Sequence, residues 1–195
     1  MDIGCGNRPY QNLFPQVDSY VGIDRQNPEA DVIAQASRLP IRSDSIDVVL
    51  CNQVIEHDPR PDQILAEIFR ILKTGGLLIL SAPQMGRLHG EPEDYYRFTK
   101  WGLNYLLTHE GFEIEVMEPH GGIFRALGSH LNFFLMDRVG NRRRMGAALR
   151  YTLINLNNLL FRILDRFIPW EKDTLGYNIL AKKRGNGDGR TRASG

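Results

Sequence analysis

The chain has 195 residues, of which 42% are hydrophobic, and its formal net charge is only +1. This length and apolar content suit one domain with a well-buried core. The two cysteines indicate neither a disulfide framework nor a zinc site, which favours a reducing compartment. Apolar stretches fall short of the roughly 18 residues that a membrane-spanning helix needs, and no signal peptide is evident, so we expect a cytoplasmic protein.

The first six residues predict the end of a buried strand followed by a glycine turn. Gly4 and Gly6 lack Cβ atoms, so the backbone can turn sharply and approach a ligand closely. We expect Asp2 at the mouth of this turn. The run from Tyr20 to Asp24 is a second short strand that ends in an acid. In doubly wound α/β folds, this combination binds a nucleoside, whose ribose hydroxyls donate to the acid.

The residues after the turn indicate which nucleoside fits. The dinucleotide fingerprint needs a third glycine, at which a helix N-terminus receives a pyrophosphate. Here Asn7-Arg8-Pro9-Tyr10 follows instead, and the chain has no Gly-Lys-Ser/Thr phosphate loop. A nucleoside without phosphates is therefore the better fit.

Further strands are predicted at 30–34, 48–51, 77–80, 112–117 and 177–181. The continuous apolar run at 48–51 is typical of a parallel strand buried on both faces. A helix is predicted from Pro61, with Lys73 in its last turn and Gly75-Gly76 as its stop. Its apolar face has a 3.6-residue period and consists of Ile64, Leu65, Ile68, Ile71 and Leu72.

Four ordered segments within residues 1–83 resemble the class I S-adenosylmethionine-dependent methyltransferases, in particular the methyltransferase type 11-like family. The start, Asp2-Ile3-Gly4-Cys5-Gly6, is similar to the family's motif I, Leu-Asp-Ile-Gly-Cys-Gly. Leu39-Pro40, an acidic Ser/Asp turn, a strand and Val54-Ile55-Glu56-His57 follow in the family's order. The resemblance implies an α/β fold with a doubly wound, Rossmann-like, seven-stranded, mostly parallel sheet. This sheet is clipped at its N-terminus, because strand 1 lacks its apolar first half.

The resemblance also implies S-adenosylmethionine as cofactor and S-adenosylhomocysteine as product. Asp24 is expected to accept from the ribose, Arg25 to flank the adenine and Asn52 to line the methionine end. Gln35 stands where the family usually has an acid, and its side-chain carbonyl can accept the same bond from adenine. The predicted cofactor-binding residues are Asp2, Gly4, Cys5, Gly6, Asp24, Arg25, Gln35, Ala36 and Asn52.

His57 is the leading candidate for a catalytic base, because an imidazole titrates near neutrality. The alternative is that Glu56 and His57 cap the following turn and shape the cofactor pocket. The segment 89–98 mixes acids, aromatics and arginine, which suits a polar acceptor such as a sugar. It resembles an Asp-Tyr-Tyr-Arg-Phe-Thr segment of methyltransferases from bacterial cell-surface glycan pathways. Its candidate substrate-binding residues are His89, Glu91, Tyr95, Tyr96 and Arg97.

The role of Arg97 and the function of the whole chain each have an alternative interpretation. Arg97 can pair with a carboxylate and fix the loop, and then it does not bind substrate. For the whole chain, the predicted function is methyl transfer to a sugar or lipid-linked glycan hydroxyl. The competing hypothesis is a cofactor-binding protein without turnover, because strand 1 is clipped and Gln35 replaces an acid. No metal site is predicted.

Charge is segregated along the chain. Residues 1–118 carry a net charge of −8, whereas 119–170 carry +6 from eight arginines and two aspartates. Residues 119–176 are predicted to be a helical insert before the last strand, with helices at 123–136 and 151–168. Arg142-Arg143-Arg144 lies between these helices. Residues 1–184 are expected to form one methyltransferase domain, and 185–195 a disordered tail.

Three hypotheses compete for the insert. It is a lid or homodimer arm with arginines on a solvated face, or it contacts a membrane or lipid carrier through 119–170. Phe133, Phe134 and Leu135 near an arginine cluster suit an anionic headgroup region, which would place the protein at the inner face of the membrane. Nucleic-acid binding is disfavoured, because the basic run is short and no recognition fold accompanies it.

Overall fold

The structure is a computed structural model, and it describes residues 1–139, 147–170 and 172–185. Within these residues, seven strands form one sheet in the order β3-β2-β1-β4-β5-β7-β6. Neighbouring strands from β3 to β5 are parallel, and β7 runs antiparallel between β5 and β6. The strands are β1 (Asp2–Ile3), β2 (Gly22–Asp24), β3 (Val32–Ile33), β4 (Ile46–Asn52), β5 (Leu72–Pro83), β6 (Phe112–Pro119) and β7 (Gly176–Lys183). The predicted doubly wound, mostly parallel sheet is confirmed.

The helices are α1 (Pro61–Ile71), α2 (Lys100–His109), α3 (Ile123–Val139) and α4 (Ala147–Phe167). Proline opens α1, where its missing N–H costs nothing, and the Thr99 side chain caps α2 by accepting from the Gly102 N–H at 3.0 Å. No described helix combines the length and hydropathy that crossing a bilayer requires. Residues 186–195 of the predicted tail, and Arg142, Arg143 and Arg144, lie outside the described residues.

The end of α1 differs from the prediction. The helix ends at Ile71, and Leu72 already belongs to β5, with an extended backbone and a fully buried side chain. Leu72 pairs with Ile46, but the next pair is Val48 with Leu77, so β5 bulges between them. Gly75 accommodates this bulge with a φ of +79°. The helix α1 therefore ends where Leu72 pairs with β4, before the chain reaches Gly75 and Gly76.

The two faces of the sheet are covered differently. Val49, Cys51, Leu78 and Leu80 point to one face, where they form the hydrophobic core with α1 and α2. On the opposite face, the β1–β2 connection contains only a short 3₁₀ helix, Gln11–Leu13, in the described structure. That face is therefore partly open, and it becomes the floor of the cavity described below.

One side-chain clamp attaches the β3–β4 connection to α1. Arg70 donates to the carbonyl of Leu39 at 3.0 Å and to that of Ile41 at 2.7 Å. Its guanidinium also pairs with Glu67 at 2.7 and 2.9 Å, and Glu67 accepts from the Leu39 N–H at 2.8 Å. The fork geometry of arginine satisfies these four acceptor contacts together. The connection is thereby held against the core although it lacks a helix.

The insert between β6 and β7 forms a helix pair. Asn132 donates to Asn158 at 2.7 Å, and Asn157 donates to Asn132 at 2.8 Å, so amides link α3 to α4. Asp165, near the end of α4, accepts from the N–H groups of Gly122 at 2.9 Å and Phe124 at 3.0 Å. A carboxylate in that position caps the N-terminus of α3 and complements its dipole.

We predict that Arg70→Lys lowers the free energy of unfolding by about 1–3 kcal/mol, because lysine cannot satisfy two carbonyls and a carboxylate together. Urea unfolding followed by circular dichroism measures the change. The exposed Arg42 provides the matched control Arg42→Lys, which should stay within about 0.5 kcal/mol of the wild type. Equal losses in both variants would contradict the clamp.

Candidate functional site

The glycine turn lies at the carboxyl end of β1. Gly4 has a φ of +69° and Gly6 a φ of +46°, a region that side chains disfavour. A Cβ on Gly4 would lie 2.5 Å from Cγ2 of Val54, whereas a Cβ on Gly6 would meet no atom within 4 Å. Gly4 is therefore required for packing, whereas the Cα of Gly6 faces open space.

Asp24 at the end of β2 faces this turn. Its carboxylate accepts from the Gly6 N–H at 3.1 Å, from Gln26 at 2.9 Å and from Asn27 at 3.0 Å. Burial opposes ionisation, but the three N–H groups outweigh it and hold the pKa of Asp24 below its usual value. The side chain is therefore ionised at neutral pH, and its remaining lone pairs can accept from ribose hydroxyls.

The side chains of Asp2 and Cys5 lie beneath the turn, and the expectation of Asp2 at its mouth is wrong. Asp2 is 2% exposed, and its carboxylate accepts from the Tyr20 hydroxyl. Burial raises the pKa of Asp2, and the hydrogen bond from Tyr20 opposes this shift. Cys5 packs against Gly22, and burial raises the pKa of its thiol. Both residues support the turn from below.

Asn52 belongs to a small polar network at the ends of β4 and β5. Its amide donates to the Tyr10 hydroxyl, and its carbonyl accepts from the Ser81 hydroxyl. Gln53 donates to Ser81 at 3.1 Å. Tyr10, Gln53 and Ser81 were not among the predicted site residues. Only Ser81 carried a usable signal, because it directly follows the predicted strand 77–80, as Asn52 follows the predicted strand 48–51.

A cavity of about 990 Å³ opens beside Asn52. Its floor is the sheet face opposite α1 and α2, and it contains Leu50, Ile79 and Leu180. The α3 helix contributes part of the wall. Residues with polar or aromatic side chains around the cavity include Tyr10, Ser81, Arg87, His89, Ser129 and Phe133.

Arg25, Gln35 and Ala36 complete the predicted cofactor edge. Gln35 is exposed and Ala36 half-buried, and both follow β3 directly. Arg25 follows Asp24 and forms an ion pair with Glu93 of the β5–α2 loop. The predicted cofactor residues thus lie at the carboxyl ends of β1, β2, β3 and β4, although the side chains of Asp2 and Cys5 face inward.

The β5–α2 loop folds back over the end of β4. Arg97 forms a bidentate pair with Asp94 at 2.6 and 2.8 Å, and this pair holds the pKa of Asp94 far below its usual value. This geometry favours the loop-fixing interpretation of Arg97. The Tyr96 hydroxyl donates to the Pro59 carbonyl at 2.9 Å. Among the candidate acceptor residues, His89 lines the cavity, whereas Glu91, Tyr95 and Tyr96 are exposed.

The predicted base, His57, has both ring nitrogens directed at protein groups. Its Nδ1 lies 2.5 Å from the Glu93 carbonyl, and its Nε2 lies 3.9 Å from Glu56 Oε1. A Cβ on Gly90 would lie 2.9 Å from the imidazole, so the loop packs directly on the ring. This arrangement favours a role for His57 in shaping the site.

Known proteins resemble the first part of the chain. A family model described as a methyltransferase domain matches residues 1–80. An uncharacterized methyltransferase of Mycobacterium ulcerans (strain Agy99) is 32% identical over 95 residues, covering 42% of this chain and 37% of that relative. Residues 1–80 are therefore similar to a methyltransferase domain, a match that covers the first four strands and most of β5. The chain spans little more than a third of the length of this curated relative, at 37%.

Solved structures agree in fold at low identity. A putative methyltransferase from Bacillus halodurans C-125 has a TM-score of 0.59 and 17% identity, covering 94% of this chain and 91% of that one. Phosphoethanolamine N-methyltransferase 2 of Haemonchus contortus, solved with S-adenosyl-L-methionine, has a TM-score of 0.56 and 18% identity. That match covers 94% of this chain and 48% of the other. The family match ends at residue 80, so the cavity wall from α3 and β7 lies outside it.

The two motif glycines should respond differently to the same substitution. Gly6→Ala places a methyl group in open space, and we expect only the left-handed strain of about 1–2 kcal/mol. Gly4→Ala adds a contact with Val54, so we expect a further loss of about 1–3 kcal/mol in the free energy of unfolding. Thermal unfolding of both variants measures the difference. A Gly6→Ala protein as unstable as Gly4→Ala would contradict this geometry.

Burial of Asp2 should make stability depend on pH, and the hydrogen bond from Tyr20 should counteract this dependence. A raised pKa means that folding favours protonated Asp2, so its contribution to stability falls as pH rises through its titration range. At neutral pH the Tyr20 hydroxyl donates to a charged group, and Tyr20→Phe should cost about 1.5–3 kcal/mol.

Below this range the same substitution should cost only about 0.5–1.5 kcal/mol, because Asp2 is then neutral. Urea unfolding at acidic and at neutral pH measures both values. The control is Tyr105→Phe, because Tyr105 is 66% exposed on α2. A pH-independent cost of Tyr20→Phe would show that Asp2 does not titrate there.

Proposed function

We propose that this chain binds S-adenosylmethionine at the carboxyl ends of β1 to β4 and transfers its methyl group to a polar acceptor. The observation that carries this proposal is the link between the Gly6 N–H and the Asp24 carboxylate at 3.1 Å. It joins a ligand-accessible turn to an ionised acid at the edge where doubly wound sheets bind nucleosides. The match of residues 1–80 to a methyltransferase domain and a fold neighbour solved with this cofactor support the same assignment.

Bound S-adenosylmethionine supplies a methyl group that its sulfonium already activates. In our proposal, the exposed backbone of Gly4 and Gly6 borders the methionine moiety, and Asp24 accepts from the ribose hydroxyls. Gln35 accepts from the adenine amino group, and Asn52 borders the methionine end. The protein then contributes mainly alignment, because methyl transfer needs an acceptor held in line with the carbon–sulfur bond.

We further propose that the acceptor is a hydroxyl of a sugar or a lipid-linked glycan. The support is the cavity of about 990 Å³, which combines an apolar floor with the polar groups of Asn52, Ser81 and His89. Mixed linings of this kind suit ring-shaped polyols, whose faces are apolar and whose edges are polar. An unbiased screen with labelled cofactor tests this proposal. Labelling confined to nucleic acid or protein side chains would overturn it.

The Asp24 carboxylate should dominate cofactor affinity. We predict that Asp24→Ala weakens S-adenosylmethionine binding roughly 30- to 150-fold, because a charge-assisted contact contributes about 2–3 kcal/mol. Calorimetric titration with S-adenosylmethionine and S-adenosylhomocysteine measures the dissociation constants. Asp18→Ala is the matched control, because Asp18 is exposed in the preceding connection.

The same titrations separate the two functional hypotheses. An unchanged dissociation constant in folded Asp24→Ala would contradict the ribose assignment. Wild-type binding without labelled product in any acceptor pool would support the alternative of a cofactor-binding protein without turnover. Absence of binding in the folded wild type would overturn the proposed function itself.

We propose that α3 controls access to the acceptor cavity. Ser129 and Phe133 line the cavity, and the Arg87 guanidinium lies 4.3 Å from the centroid of the Phe133 ring. Arg87 also pairs with Asp137 at 3.2 Å, so two contacts join α3 to the β5–α2 loop. This arrangement supports the lid hypothesis for the insert.

Membrane contact through 119–170 stays a prediction. Its proposed arginine cluster lies outside the described residues, but α4 exposes a row of apolar side chains that includes Leu156, Leu159, Leu160, Ile163 and Phe167. Vesicle flotation at low salt tests it. Binding to anionic but not neutral vesicles, lost when Arg142, Arg143 and Arg144 are replaced by serine, is the expected result. Absence of flotation would leave the lid and dimer-arm hypotheses.

A further inference from the structure

The proposed methyl transfer makes no use of a fully buried carboxyl group near the cavity. Glu56 is 0% exposed, and neither of its carboxyl oxygens has a hydrogen-bond partner among the described residues. Burying a carboxylate without a partner costs several kcal/mol, so such a group binds a cation or takes up a proton. Its backbone carbonyl accepts from Tyr95 and Tyr96, which anchors the residue beneath the loop.

Two imidazoles face one oxygen of this carboxylate. Nε2 of His57 and Nε2 of His89 each lie 3.9 Å from Glu56 Oε1. The potential ligand atoms of the three residues all lie within 4.8 Å of one another. Since 3.9 Å is too long for a hydrogen bond, the three groups converge without satisfying one another.

The outer nitrogens of both rings are directed at backbone carbonyls. Nδ1 of His57 lies 2.5 Å from the Glu93 carbonyl, and Nδ1 of His89 lies 3.3 Å from the Arg87 carbonyl. A carbonyl only accepts, so the short contact of His57 favours the tautomer with the proton on Nδ1, whereas Nδ1 of His89 also lies 3.5 Å from the Arg97 guanidinium, which only donates. Nε2 of His57 then presents its lone pair toward Glu56. Histidine ligands of metal ions in proteins are oriented in this way.

The nearest arginine is only partly available to Glu56. The terminal nitrogens of Arg97 are committed to Asp94 through a bidentate pair at 2.6 and 2.8 Å. The rings of His57 and His89 lie 4.7 Å apart, and both face the same carboxyl oxygen. One cation shared between the two Nε2 atoms and the carboxylate would contact all three groups.

We propose that Glu56, His57 and His89 bind one divalent transition-metal ion of the Zn²⁺ type. Two imidazoles and one carboxylate form a ligand set that such ions prefer, whereas Mg²⁺ and Ca²⁺ prefer oxygen ligands. Ligand atoms on a tetrahedral zinc ion lie about 3.4 Å apart, so side-chain rotations would have to shorten the two contacts of 3.9 Å and a third distance of at most 4.8 Å. Sequence analysis predicted no metal site, because these ligands come from two separate segments.

The position of the site gives the ion a role. His89 lies in the cavity wall, so the coordination positions that the protein leaves open face the acceptor side. There the ion would polarise an acceptor oxygen as a Lewis acid, a consequence that rests on the proposed function. Metal binding itself does not depend on that function.

Calorimetric titration of Zn²⁺ into the chelator-stripped full chain, without S-adenosylmethionine, tests the site. We expect one ion per chain, and at least about 10- to 100-fold weaker binding in Glu56→Gln, His57→Gln and His89→Gln. His109→Gln is the matched control and should bind as the wild type does, because His109 is exposed on α2. Visible absorption of bound Co²⁺ should disappear in the three ligand variants and persist in the control.

Absence of saturable Zn²⁺ binding by the folded wild type would overturn the proposal, as would equal binding by the folded ligand variants. Loss of binding in His109→Gln, or equal binding of Mg²⁺, would overturn it as well. Glu56→Gln keeps the shape of the buried side chain and removes its charge, so it decides the outcome where a histidine variant does not fold. A chain that binds Zn²⁺ but not S-adenosylmethionine would overturn only the proposed function.

Discussion

The parallel pairing of β1 with β2 and β4 is the constraint on which the candidate site depends. Asp2 pairs with Gly22 on one side and with Leu50 on the other, so three strands end at the same level. Parallel strands carry their carboxyl ends to one edge, and the residues that follow them converge there. Gly6 and Asp24 can therefore meet at 3.1 Å, although 17 residues separate them in the chain.

The second constraint is the unequal covering of the sheet. One face is closed by α1 and α2, whose apolar residues form the core with β4 and β5. The other face carries Leu50, Ile79 and Leu180 into a cavity of about 990 Å³. An apolar sheet face usually needs cover, and here α3 supplies part of it through Ser129 and Phe133. The helix pair, anchored by the Asp165 cap, is thus part of the cavity wall.

The β5–α2 loop organises the polar groups at the carboxyl ends of the strands. Arg97 and Asp94 hold the β5–α2 loop together, and Arg25 ties it to the end of β2 through Glu93. The same loop brings His89 against Glu56 and His57. Fixing the loop therefore determines both the wall of the cavity and the surroundings of the buried carboxylate.

The sequence by itself determined the sheet, its glycine turn and the acid at the end of β2. These features are local: strand periodicity, a pair of glycines and an acid at a strand end need no knowledge of distant contacts. It also indicated the helix pair before the last strand. The end of α1 was predicted wrongly, at Gly75-Gly76. The helix ends earlier because Leu72 pairs with Ile46 in the sheet, a contact that local sequence patterns do not reveal.

Only the tertiary structure decided which side chains face the ligand and which support it. Asp2 is buried because Tyr20 closes over its carboxylate, and Cys5 is buried because it packs against Gly22. The Glu56, His57 and His89 cluster required the β5–α2 loop to return over β4. Such contacts join residues that are distant in sequence, and no local pattern encodes their separation.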